Sequence, residues 1–68
     1  MKLVINGEIH QFSQDTLTIL ELFSLLGLSP VGKMIEINQV AYSESAFGTV
    51  TLCDKDRIEI VQFLGGGA

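Results

Sequence analysis

One stretch of the 68-residue chain, Thr18 to Gly27 (TILELFSLLG), carries the period of an amphipathic helix. Ile19, Leu22, Phe23 and Leu26 stand at i, i+3, i+4 and i+7, which puts them on one stripe. Both ends of the stretch are marked. Thr18 followed three residues later by Glu21 forms a capping box, in which the Thr hydroxyl accepts from the first turn and the Glu carboxylate reaches back. Gly27 suits the left-handed position that stops a helix, and Pro30 prevents its resumption. Leu20 and Leu25 widen the apolar surface, and core packing accounts for these leucines. A chain with one such helix among strand-like stretches has a natural two-layer solution, a sheet laid over one face of the helix.

The strand-like stretches fit that solution. Lys2–Asn6 (KLVIN) reads as a strand, Asn6-Gly7 as a tight hairpin turn tolerant of positive φ, and Glu8–Phe12 as the returning strand. With Leu3 and Ile5 facing the core, Val4 falls on the other side of the pleat. Lys33–Ile37 reads as a third strand, with Asn38-Gln39 turning into a short extended piece over Val40–Tyr42. Ser43–Thr49 is polar and small, a loop with one helical turn anchored by Phe47. Val50–Leu52 is a further extended piece, Asp54–Arg57 a charged turn, and Ile58–Leu64 (IEIVQFL) the most strand-like stretch. The first and last strands are both strongly apolar. They are expected side by side and parallel at the sheet centre, which makes the expected fold an α+β, ubiquitin-like β-grasp: a mixed sheet packed on one helix. The expected organisation is a domain over residues 1–64 and a flexible glycine tail over 65–68.

Composition narrows the function. A chain this short buries only about 60% of its unfolded surface, so its core must be rich in apolar side chains; hydrophobic residues make up 47%. A net charge of −4 with four Lys+Arg leaves no basic footprint for nucleic acid or anionic membrane, and suits a basic protein partner better. Single Cys53 and single His10 allow neither an internal disulfide nor a Cys/His zinc cluster. With neither a basic-then-apolar leader nor an apolar run near the roughly eighteen residues of a membrane span, the chain reads as soluble and cytoplasmic.

Convergent catalytic groups are few. Asp54 and Asp56 flank Lys55 at a strand entrance, where aspartates commonly form a solvated turn. Cys53 reads as a packed small hydrophobe, His10 as a solvent-facing strand residue, and Ser43 and Ser45 lack a base. The chain is therefore not expected to be an enzyme or to bind a metal or cofactor. The ending FLGGGA is another matter. Gly65, Gly66 and Gly67 follow directly on a strand, where glycine buries nothing and costs the most entropy to order. They would serve as a thin thread, free of Cβ atoms, that enters a narrow channel in another protein and presents a terminal carboxylate there. ATP can activate such a carboxylate as an acyl-adenylate, and a sulfur nucleophile can then displace AMP. An inert terminus is the plain alternative for three glycines taken alone.

Several stretches together resemble the sulfur carriers of thiamine biosynthesis, the ThiS family. The resemblance rests on IEIVQFLGGG (Ile58–Gly67) preceded by LCDKDR, on INGE (Ile5–Glu8), on LLGL (Leu25–Leu28), and on Ile37-Asn38 after the third strand. It implies a ubiquitin-like sulfur shuttle. An E1-like adenylating enzyme of ThiF type would activate the C-terminal glycine, consuming ATP that the carrier itself does not hold. Sulfur from cysteine, supplied through a cysteine desulfurase, would convert the carboxylate to a thiocarboxylate, and a thiazole synthase of ThiG type would receive it. By residue, Gly67 corresponds to the sulfur acceptor and Gly65 and Gly66 to the thread. Ala68 departs from the family's glycine ending and shifts the carboxylate by about 3.5 Å. Trimming of Ala68, a partner pocket that accepts it, and an inactive or altered form all stand as explanations.

Val61 and Phe63 are expected on the outer face of the last strand, with Val4 beside them. Together they would form an apolar patch that docks the adenylating enzyme. Sulfur donation to molybdopterin, cysteine or tRNA thiolation is an alternative within the same chemistry. A ubiquitin-like modifier of lysines, or a binding module with an inert tail, is an alternative outside it.

Overall fold

The computed structural model describes residues 1–62. Strand β1 (Lys2–Ile5) turns at Asn6-Gly7 into β2 (Glu8–Gln11). Both turn residues have positive φ, 48° and 83°, the backbone twist that matches a two-residue hairpin to its strands. A two-residue strand β3 (Leu17–Thr18) leads into helix α1 (Ile19–Leu26). β4 (Lys33–Ile37) and β5 (Val40–Tyr42) form a second hairpin about Asn38-Gln39, again with two positive φ values. A 3₁₀ turn at Glu44–Ala46, a short β6 (Thr51–Leu52) and β7 (Arg57–Gln62) complete the order.

Five strands make one sheet in the order β2-β1-β7-β4-β5. β7 lies at its centre, parallel to β1 and antiparallel to β4. The expected parallel pairing of first and last strands is thus present, in the register Val4↔Arg57 and Ile5↔Ile58. β3 and β6 pair separately as a small antiparallel ribbon, Leu17↔Leu52 and Thr18↔Thr51. The sequence reading missed β3, because two residues are too few to show a period of two.

Burial follows the pleat. Leu3, Ile5, Ile35, Ile37 and Ile58 point from the sheet onto Ile19, Leu22 and Phe23 of the helix, and all are buried. Leu17, Phe47 and Leu52 close the core at the ribbon end. Phe47 stacks on Phe23 with ring centroids 5.2 Å apart.

The helix ends are built as their residues dictate. The Glu21 N–H donates to Thr18 Oγ1 at 3.1 Å, and the Thr18 N–H donates to Glu21 Oε1 at 2.8 Å. Gly27 closes the helix at φ 70°, its N–H donating to the carbonyls of Phe23 and Ser24. Thr18→Ala should therefore remove one arm of the box and cost about 1 kcal/mol. In a domain of this size that lowers the melting temperature by roughly 4–8 °C, which a thermal melt followed by circular dichroism will read.

Two expectations need correction. Cys53 is exposed rather than packed: Leu52 beside it takes the inward position, so the next residue points out. His10 is half-buried rather than solvent-facing, because it lies opposite core residue Leu3 and stacks on Phe12.

Candidate functional site

The candidate site is the end of β7 and the surface around it, since this central strand leads into the glycine run. Gly65, Gly66, Gly67 and Phe63 lie outside the described residues, as does the proposed domain boundary at Leu64.

Asparagines of the two hairpin turns bracket β7. Where β1 has ended, Asn6 takes its place: its N–H donates to the Ile58 carbonyl and its Oδ1 accepts from the Ile60 N–H, both at 2.8 Å. On the other side, the Asn38 N–H donates to the Arg57 carbonyl at 2.8 Å, and Asn38 Oδ1 accepts from the Arg57 N–H at 3.0 Å. Asn38 Nδ2 also donates to Asp56 Oδ1 at 2.9 Å. The sequence marked both asparagines as turn residues and gave no sign of these second roles.

The aspartates at the entrance to β7 are structural. Asp56 Oδ2 accepts from the Cys53 N–H at 2.8 Å, and Asp54 Oδ1 accepts from the Lys2 N–H at 2.7 Å, tying β7's entrance to the start of β1. The Lys2 hydrogen bond holds the Asp54 carboxyl below its ordinary value of 3.8, helped by the nearby N-terminal and lysine charges. A carboxyl depressed on folding adds stability that is present above its unfolded pKa and is lost as pH falls through the lower folded value. The melting-temperature gap between the wild type and Asp54→Ala should accordingly be widest near neutrality and narrow as the pH drops below 3.8, in melts at stepped pH.

On the outer face of the sheet, Val61 pairs with Met34, and the two are 47% and 39% exposed. Val4 also faces outward but is partly buried, with Ile9 opposite it on β2. Val4 is level with Arg57, four residues before Val61, so the two valines stand about 13 Å apart along β7. Glu59 faces outward between them. The expected single patch of Val4 with Val61 is therefore divided into Val4–Ile9 and Val61–Met34. Sequence periodicity told which face each valine takes, and said nothing of its level along the neighbouring strand.

Glu59 lies directly opposite Glu36, both exposed, in a surface concavity that they share with Arg57, Asn38 and Gln39. Like charges directly opposite on neighbouring strands are unfavourable. No ion pair to either glutamate occurs among the described residues; the single His–Glu contact there is His10 with Glu8, at 4.0 Å. The Val61–Met34 pair thus borders two facing glutamates, with Arg57 as the cation lining the same concavity. No group of three or more His, Cys, Asp or Glu among the described residues is placed to hold a metal ion.

A single helix laid on a mixed five-stranded sheet, with parallel first and last strands at its middle, defines a β-grasp protein of the ubiquitin-like class. The crystal structure of the thiamine biosynthesis protein ThiS from Geobacter metallireducens superposes with a TM-score of 0.86 at 30% identity, covering 98% of this chain and 100% of that one. A model of the ThiS family matches residues 3–67. The chain belongs to the ThiS family. The sulfur carrier protein ThiS of Bacillus subtilis is 37% identical over 65 residues, covering 96% of this chain and 98% of that protein. A thiazole synthase of Magnetococcus marinus is 39% identical over 67 residues, and one of Paramagnetospirillum magneticum 40% identical over 68. The chain spans only 20% and 21% of the length of these two synthases.

Proposed function

We propose that the chain carries sulfur for thiazole formation in thiamine biosynthesis, with the carboxyl of Gly67 as the acceptor. The carrying observation is the family match, which takes in residues 3–67 and so reaches Gly67 and leaves Ala68 outside. Near-full-length similarity to a protein named as a sulfur carrier supports the same reading.

The chemistry asks nothing of a side chain in the carrier. Hydrolysis of the Gly67–Ala68 peptide bond first releases Ala68 and frees the Gly67 carboxylate; this attacks the α-phosphorus of ATP on an E1-like, ThiF-type enzyme, and pyrophosphate leaves. The terminal sulfur of a cysteine persulfide, formed on a desulfurase, then attacks the acyl carbon and AMP leaves; a second thiol reduces the resulting acyl disulfide, forming a new disulfide and releasing the thiocarboxylate. Its sulfur passes to a ThiG-type thiazole synthase. The occurrence of a similar stretch within proteins named thiazole synthase favours that acceptor over molybdopterin or tRNA thiolation. The Glu36–Glu59 pair and the Val61–Met34 pair suit a docking surface that offers basic and apolar groups, with Phe63 as a further apolar contact.

Intact mass spectrometry after incubation with ATP, a ThiF-type enzyme and a sulfur source tests the proposal. The expected result is loss of one alanine together with exchange of one oxygen for sulfur, on a species whose fragments place the sulfur at Gly67. Sulfur on a species that keeps Ala68 would overturn Gly67 as the acceptor. An unchanged mass with enzymes shown to be active, or adducts only on partner lysines, would overturn it.

A further inference from the structure

β7 outruns the strand beside it. Its pairing with β1 ends at Ile5↔Ile58, yet it continues four residues further, to Gln62. The direction of its backbone groups follows from the register. Because the Asn38 N–H donates to the Arg57 carbonyl, the Arg57, Glu59 and Val61 positions exchange their hydrogen bonds with the β4 side. The N–H and C=O of Ile58, Ile60 and Gln62 therefore point the other way, toward β1. Asn6 confirms this by meeting the Ile58 carbonyl and the Ile60 N–H. Beyond Asn6 the chain turns away into β2, so the Ile60 carbonyl and the Gln62 N–H face a vacated lane and find no partner among the described residues. The Gln62 side chain does not cover them, since its Nε2 is held by the Gly32 carbonyl at 3.3 Å on the β4 side.

An acceptor and a donor two residues apart on one side of an extended strand match the main chain of another extended segment. We infer that the enzyme receiving the tail lays an extended segment of its own backbone in this lane, adding a short strand beside Ile60–Gln62. This rests on the carrier reading above, which decides which partner comes there. Gln62 precedes Gly67 by five residues, so even a fully extended chain keeps it within about 17 Å of the reacting carboxyl. A surface that holds that carboxyl must therefore run close to the lane. The partner segment is recognised by its main chain, and Val61, whose side chain stands on the outer face, contributes apolar contact next to it.

Hydrogen exchange at the Gln62 amide is the test, read by NMR on the full chain with and without a ThiF-type adenylating enzyme and a non-hydrolysable ATP analogue. Exchange is expected to slow at least about tenfold in the complex. A semisynthetic carrier with a backbone ester in place of the Gln62 N–H should bind about tenfold more weakly, whereas Gln62→Ala, which keeps the N–H, should bind within about twofold of wild type. If the complex forms and sulfur is loaded while Gln62 exchanges as fast as before, the strand-addition inference is overturned and the carrier reading stands. If neither complex nor ATP-dependent loading occurs with an active enzyme, both fall.

Discussion

Gly66→Val is expected to lower ATP-dependent sulfur loading by about a hundredfold or more while leaving the melting temperature where it is. Stability should be indifferent, because the buried apolar residues of the described chain run from Leu3 to Ile58 and already form a closed core. Loading should be sensitive for a geometric reason. A branched side chain in a passage shaped for bare backbone must push the chain aside, and displacing a reacting atom by about 1 Å can cost two orders of magnitude in rate. Gly66→Ala, with a single added carbon, should fall between the two. Initial rates of sulfur gain, measured beside thermal melts of the same samples, will check both halves. Wild-type loading by Gly66→Val would mean that the glycines are not selected by a narrow channel.

The sequence made some of this structure legible because certain residues carry their reasons locally. Asn6-Gly7 announces a turn through its tolerance of positive φ, and Thr18 with Glu21 announces a helix start through two reciprocal hydrogen bonds. Asn38-Gln39 and Gly27 are of the same kind. The alternation in Ile58–Val61 likewise told which side chains face the helix. What stayed hidden depends on partners distant in the chain. Leu17 becomes a strand residue only because Leu52 is opposite it, and no local pattern says so. The side chain of Asn6 completes the lane beside a residue 54 positions away. Val4 and Val61 were rightly placed on one face, but their separation is set by the parallel register of β1 on β7, which is a property of the pairing and not of either strand. The open lane at Ile60–Gln62 has the same origin: it exists because one strand is shorter than its neighbour.

Phe47→Ala should leave the protein at the edge of unfolding at 25 °C, with up to about half of it unfolded. Phe47 is 1% exposed and stacks on Phe23, so truncation removes a ring that packs the segment after the 3₁₀ turn onto the helix. Replacing a buried Phe by Ala costs about 3–5 kcal/mol. A domain of this size has a total stability near the low end of the usual range, about 5 kcal/mol, so the loss consumes most of it. The backbone around Phe47 adds to the expectation. The Leu20 N–H donates to the Phe47 carbonyl at 2.8 Å and the Ile19 N–H to the Val50 carbonyl at 3.1 Å, so this segment satisfies donors at the start of α1. Once the ring no longer anchors the segment, those donors lose their acceptors and the helix start is weakened with the core. Phe47→Leu keeps most of the volume and should cost about 1.5 kcal/mol or less, leaving a folded protein with a lowered melting point. Circular dichroism melts of the pair, with an amide NMR spectrum of each, will separate the two outcomes. A Phe47→Ala protein melting within a few degrees of wild type would show that the ring fills space the core does not need, and that the segment is held by its hydrogen bonds alone.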